Sequence, residues 1–152
     1  MHLKNVNTTD LIGAIRLGCR MMCNVFNADD NDIPFFSSSV RPDPQLKFEA
    51  NASEAHVPGR HLNALLTAED IAGITVPEDA IEKHANAAFF SYSGEVALPL
   101  NRTDINGPLD SFMAHNVREG FHALYALVKY RSYERARIIA EKSIHDLFNL
   151  FR

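Results

Sequence analysis

Between positions 115 and 122 the chain reads HNVREGFH, and four of these side chains can donate, accept or titrate. On a helix turning 100° per residue, His115, Arg118, Glu119 and His122 fall at i, i+3, i+4 and i+7 and share one face. Histidine changes charge near neutral pH. A glutamate whose surroundings raise its pKa serves as a general acid or base. Arginine grips a carboxylate through two parallel hydrogen bonds. The patch therefore suits acid–base chemistry, by Glu119 with His115, on a ligand that carries a carboxylate. The same spacing also describes the solvated side of any surface helix. Asn116 and Glu119 also fit a near capping box, should the helix start late.

A second cluster lies in HVPGRHLNALL, where His56, Arg60 and His61 surround a Pro-Gly turn at a helix entrance. Helix starts carry free N–H groups that bind anions, and Arg60 adds charge. Equally, Arg60 pairs with a nearby acid and His61 caps its own helix. NRTD puts Asn101, Arg102 and Asp104 just ahead of the patch helix. DDNDIP opens like a calcium-binding loop but lacks its glycine and distal glutamate, so acidic turn residues account for it better. Cys19 and Cys23 stand four apart, a poor fit to a disulfide within one helix, and read as two buried thiols. Reactive thiols there would instead indicate a redox or metal sensor. The chain has no Gly-rich phosphate loop, no G-x-S-x-G and no H-E-x-x-H, and neither a metal nor a cofactor is expected.

The elements that must carry these groups follow from apolar periodicity. A first helix is expected over about Thr9–Asn27, with Leu11, Ile15, Gly18, Met22 and Phe26 on one stripe and Thr8, Thr9 or Asp10 as cap. Residues Ala28–Arg60 are rich in Pro, Ser and Asp and read as a long loop, which Phe35, Phe36 and Phe48 would anchor onto the helices. Helices over His61–Ala72, ended by Gly73, and from Pro77 to about Ser91 come next. The stretch after Ser91 is irregular, with a short extended piece at Glu95–Leu98. In Ser111–Tyr130, Met113, Val117, Phe121, Leu124 and Val128 form the expected buried side. A short link, RSY, then predicts an antiparallel hairpin with the last helix. No strand pattern stands out. The expected class is all-α: one domain over residues 1–152, made of antiparallel helical hairpins with one long ordered loop.

The 152 residues suffice for one core without disulfides. With 46% hydrophobic and 22% charged residues the chain should fold, and a net charge of −4 without Lys/Arg blocks argues against nucleic acid and anionic membrane as partners. No apolar run reaches bilayer length, and MHLKNVNTTD lacks the apolar stretch of a signal peptide, so a cytoplasmic location is expected.

DIPFF, HVPGRHLNALL, FFSYSGEVALPLNR and HNVREGFHALYALVKYRSYERARIIAEKSI together resemble the N-terminal part of (α/α) toroid proteins acting on carbohydrates. These include glycoside hydrolases and polysaccharide lyases of the heparinase and β-glucuronidase or arabinofuranosidase type. In such toroids antiparallel hairpins close a ring, and substrate binds in a funnel lined by inner-helix starts and the loops before them. The resemblance implies that Arg60 and His61 stand at one inner-helix mouth and His115, Asn116, Arg118 and Glu119 at another. It implies binding of an acidic oligosaccharide, with arginines (Arg60, Arg118, Arg102) meeting a uronic-acid carboxylate, and hydrolysis of the glycosidic bond by Glu119 and His115. Glycosidases use two carboxyl groups, and Asp32 or Asp104 would supply the second. A whole toroid needs about a dozen helices; this chain supplies about five, so copies of itself or the remainder of a ring would complete it. The competing expectation is a non-catalytic helical-repeat adaptor, which pairs short-linked helices without needing the long loop.

Overall fold

The computed structural model describes residues 10–150 and Arg152; the candidate caps Thr8 and Thr9 lie outside them. Among the described residues five α-helices make up most of the structure: α1 (Leu11–Met22), α2 (His56–Ala72), α3 (Glu78–Ser91), α4 (Ala114–Arg131) and α5 (Glu134–Leu150). Asp10 caps α1 by accepting from the Gly13 N–H at 2.9 Å. Gly73 ends α2, and Ser132 and Tyr133 alone separate α4 from α5.

The chain is not all-α. Three small antiparallel sheets occupy the connections: β1 (Phe26–Asn27) with β2 (Ile33–Pro34), β3 (Ser37–Ser39) with β4 (Gln45–Lys47), and β5 (Leu100–Arg102) with β6 (Leu109–Phe112). Strands of two to four residues are too short to show apolar alternation, and SSS carries no apolar residue at all. They form because an ordered loop must still pair its backbone N–H and C=O groups. The first pair also takes Phe26 and Asn27 from the expected first helix, which stops at Met22. The extended piece expected at Glu95–Leu98 instead begins five residues later, at β5.

Helices α2 and α4 run parallel. The pairs His56–Asn116, Arg60–Glu119, Thr67–Tyr130 and Glu69–Arg131 ascend together along both. Helix α3 returns in the opposite sense: its first residue, Glu78, meets Arg131 at the far end, and His84 meets His61 nearer the start of α2. The core lies between these helices and centres on Leu62, Leu65, Leu66, Ile81, Leu124 and Leu127. No helix among the described residues is long and apolar enough to cross a membrane.

Helix α2 begins at His56, five residues earlier than the Pro-Gly pair suggests. Proline is tolerated in the first helical turn, where its missing N–H is no loss. Gly59 has a different purpose. A Cβ there would sit 2.0 Å from the Glu119 carbonyl oxygen, so α2 and α4 touch backbone to backbone at this point. On α4, Gly120 instead makes room for side chains, since its Cβ would lie 2.4 Å from the Tyr92 hydroxyl and 2.8 Å from Pro99.

The long loop is held by one guanidinium. Buried Arg102 donates Nε–H to Glu54 at 2.6 Å, both terminal nitrogens to Asp30 at 3.0 and 2.6 Å, and Nη1 to the Ile105 carbonyl at 2.5 Å. The rings of Phe48 and Phe90 lie on it at 5.3 and 5.6 Å. Asp32, another acid of the calcium-like stretch, pairs with Lys83 at 3.3 Å.

Two substitutions probe this arrangement. Gly59→Ala should destabilise the fold by about 1–3 kcal/mol through overpacking. Gly18→Ala, where a Cβ meets nothing within 4 Å, should be neutral or stabilising by about 0.5–1 kcal/mol. Urea denaturation of both proteins checks the contrast. Arg102→Leu should cost about 3–5 kcal/mol in the same assay, because it strands two buried carboxylates.

Candidate functional site

The parallel pair brings the starts of α2 and α4 to one end of the molecule. Its geometry begins at Asn116, which is fully buried in the first turn of α4. Its Nδ2 donates to the Asn51 carbonyl at 2.8 Å, and its Oδ1 accepts from His56 Nδ1 at 3.3 Å. Asn101 on β5 accepts from the Ala55 N–H at 3.1 Å, and Ser111 donates to the Asn51 side chain. These amides fasten the loop, β5 and both helix starts into one polar layer. The rings of Phe36, His56 and His115 continue it as edge-on neighbours, with centroids 5.4 and 5.6 Å apart.

One turn further along, Glu119 is 2% exposed. Arg118 donates to its Oε1 at 3.1 and 2.5 Å, Arg60 of α2 reaches the same oxygen at 3.5 Å, and His122 lies 3.5 Å from Oε2. Burial alone pushes this carboxyl upward, but the Arg118 hydrogen bonds and the charges of Arg60 and Arg118 outweigh it and hold the group below the ordinary carboxylate value. Glu119 is thus an ionised anchor. The side chains of Arg60 and Arg118 remain 57% and 64% exposed, and they rim an open hollow of about 340 Å³ with Asn63, Glu119 and His122.

The sequence-derived patch is therefore assembled differently from its helical wheel. Arg118, Glu119 and His122 come together and Arg60 joins them, while His115 stands on the exposed side of His56. The buried side of α4 contains Asn116, Glu119, Gly120, Ala123, Leu124 and Leu127, whereas Met113 and Val128 are exposed. Asn116 does not cap the helix; Met113 occupies that position without a side-chain bond. Arg102 is buried in the loop clamp and does not face the hollow. Neither candidate second carboxylate is on these helices: Asp32 pairs with Lys83, and Asp104 caps its own turn by accepting from the Asn106 N–H at 2.9 Å.

His61 does not join Glu119 and its arginines but meets His84 of α3, which no local pattern marks. His61 Nδ1 and His84 Nε2 are 3.3 Å apart, and the latter nitrogen also lies 3.0 Å from the Met22 carbonyl. Burial, and then the neighbouring imidazoles, lower His61 to about 4 and His84 to about 3. No spacing signal could have revealed this pair, whose members are 23 residues apart on different helices. Burial likewise, with Arg60 adding to it, lowers His56. Cys19 is buried and Cys23 half-buried, and desolvation raises both thiols away from the reactive thiolate.

The His61–His84 pair makes stability depend on pH. Both folded pKa values lie below 6.5, so the unfolded chain binds more protons in acid. The stability this gives is complete above about pH 6.5 and drains away as pH falls through about 4 and then about 3. Thermal midpoints measured across that window should fall with pH, and His84→Leu should flatten the slope whatever its starting stability. Comparison of the chain with family models, curated proteins and solved structures gives no match, so the geometry just described carries the functional reading.

Proposed function

We propose that this chain binds an acidic carbohydrate, a uronic-acid glycoside, at the shared mouth of α2 and α4. The observation that carries this reading is the convergence of two largely exposed guanidiniums, Arg60 and Arg118, from different helices onto one buried carboxylate beside an open hollow. Arginines already oriented by Glu119 lose little freedom when they meet a ligand carboxylate, and each offers further N–H donors. The parallel α2 and α4 with antiparallel α3 also agree with the inner and outer helices of a sugar-binding toroid, whose funnel is lined by inner-helix starts. The ordered, clamped loop favours a built pocket over a plain helical-repeat adaptor. Exposed Leu17 on α1 and Ile144 and Phe148 on α5 suit flanking by further helices or by copies of the chain.

In this reading Glu119 is an anchor for the arginines and not the general acid, because a group held below its ordinary pKa is a poor proton donor at neutral pH. Titration calorimetry with glucuronic acid and with glucose separates the possibilities. The acid should bind measurably and glucose far more weakly. Arg60→Ala and Arg118→Ala should each weaken the acid about tenfold or more, the usual size for a charge-assisted hydrogen bond. Glu119→Gln should weaken it too, because the arginines then lose the charge that orients them. Equal affinity for acid and neutral sugar would sink the proposal.

A further inference from the structure

A second and larger cleft, of about 590 Å³, opens beside the arginine hollow, and Arg60 and Ala64 line both. Its walls come from α1 (Met21, Met22), from the loop (Phe35, Phe36, Leu46) and from Val57 of α2. Its polar lining residues are Arg60 and His61 on α2, Ser37 and Ser38 on the loop, and Asn24 just after α1. We infer that this cleft is the second half of one ligand site and takes a flat apolar group, such as an aromatic aglycone, joined to the acidic sugar. The inference rests on the proposed acid site and adds the chemical class of what is attached to it.

Three observations support it. First, Met21 and Leu46 are 54% and 49% exposed at the cleft although a packed core lies nearby, so covering them would remove apolar surface from water. Second, the volume is within the range of small-molecule pockets, which are mostly apolar with a few polar groups at one side. Third, the shared Arg60 fixes the order of a ligand across the two hollows. Its guanidinium marks the anionic end, and the apolar part must then lie over Val57 and Phe36. Phe36, itself 49% exposed, stands edge-on to His56 and offers the cleft an aromatic surface, which suits a planar ring.

The test compares glucuronic acid, naphthyl β-glucuronide and naphthyl β-glucoside by titration calorimetry on the whole chain. The naphthyl glucuronide should bind at least about tenfold more tightly than glucuronic acid, which is about 1.4 kcal/mol. A double variant, Met21→Gln with Leu46→Ser, should remove that gain and leave the affinity for glucuronic acid unchanged. Both side chains are about half exposed, so the fold does not depend on them. A naphthyl glucuronide no tighter than glucuronic acid, or a gain that survives in the double variant, would overturn the cleft assignment while leaving the acid site standing. Binding of the naphthyl glucoside without binding of glucuronic acid would keep the apolar cleft and remove the acid site. Absence of binding by all three would overturn both.

Discussion

Two helices that touch backbone to backbone set the terms for everything around them. Where α2 meets α4 there is no room for a side chain, which is why Gly59 faces a carbonyl; on another side of α4, Gly120 makes room for the Tyr92 hydroxyl and the Pro99 ring. A carboxylate projecting from such a crossing must be buried, and a buried carboxylate must be partnered. Arg60 and Arg118 supply the partners from the two helices that caused the burial. The same proximity one turn earlier presses His56 against Asn116 and leaves the amide to bridge to the loop. The cluster at the mouth thus follows from helix spacing as much as from residue type.

The loop obeys a second constraint. Its backbone is too long to remain unpaired and too polar to bury unaided, so it is folded into short ribbons and locked to the helices by Arg102. Glu54 illustrates the balance of effects. Burial raises its pKa more than Arg102 lowers it, so this carboxyl depends on the clamp for its tolerance inside the protein. Because the loop forms one wall of the larger cleft, the clamp also fixes the shape of that cleft.

The sequence discloses these features unevenly. Long, strongly periodic segments announce the five helices, and RSY announces the tight α4–α5 link. The start of α2 is hidden because Pro58 and Gly59 imitate a turn, whereas one is tolerated in a first turn and the other serves the crossing. The buried side of α4 is misjudged by counting large apolar residues, since close helix contacts select Gly120, Ala123 and Ala126 and admit Asn116 and Glu119 when these are bonded. Ribbons of two to four residues leave no periodic trace, which is why the chain looks all-helical on paper. The Arg102–Asp30–Glu54 cluster spans separations of 72 and 48 residues, beyond the reach of any local pattern.

The parallel course of α2 and α4 has one more effect, on the electric field. Each helix carries roughly half a positive elementary charge at its start, and two starts lie side by side where Arg60 and Arg118 also reach outward. A molecule whose formal charge is −4 therefore has a locally positive face here. Small anions diffusing nearby are drawn to that face, so encounter is biased before any contact is made. The bias reaches about one Debye length, roughly 8–10 Å at ordinary ionic strength, and fades as salt is added.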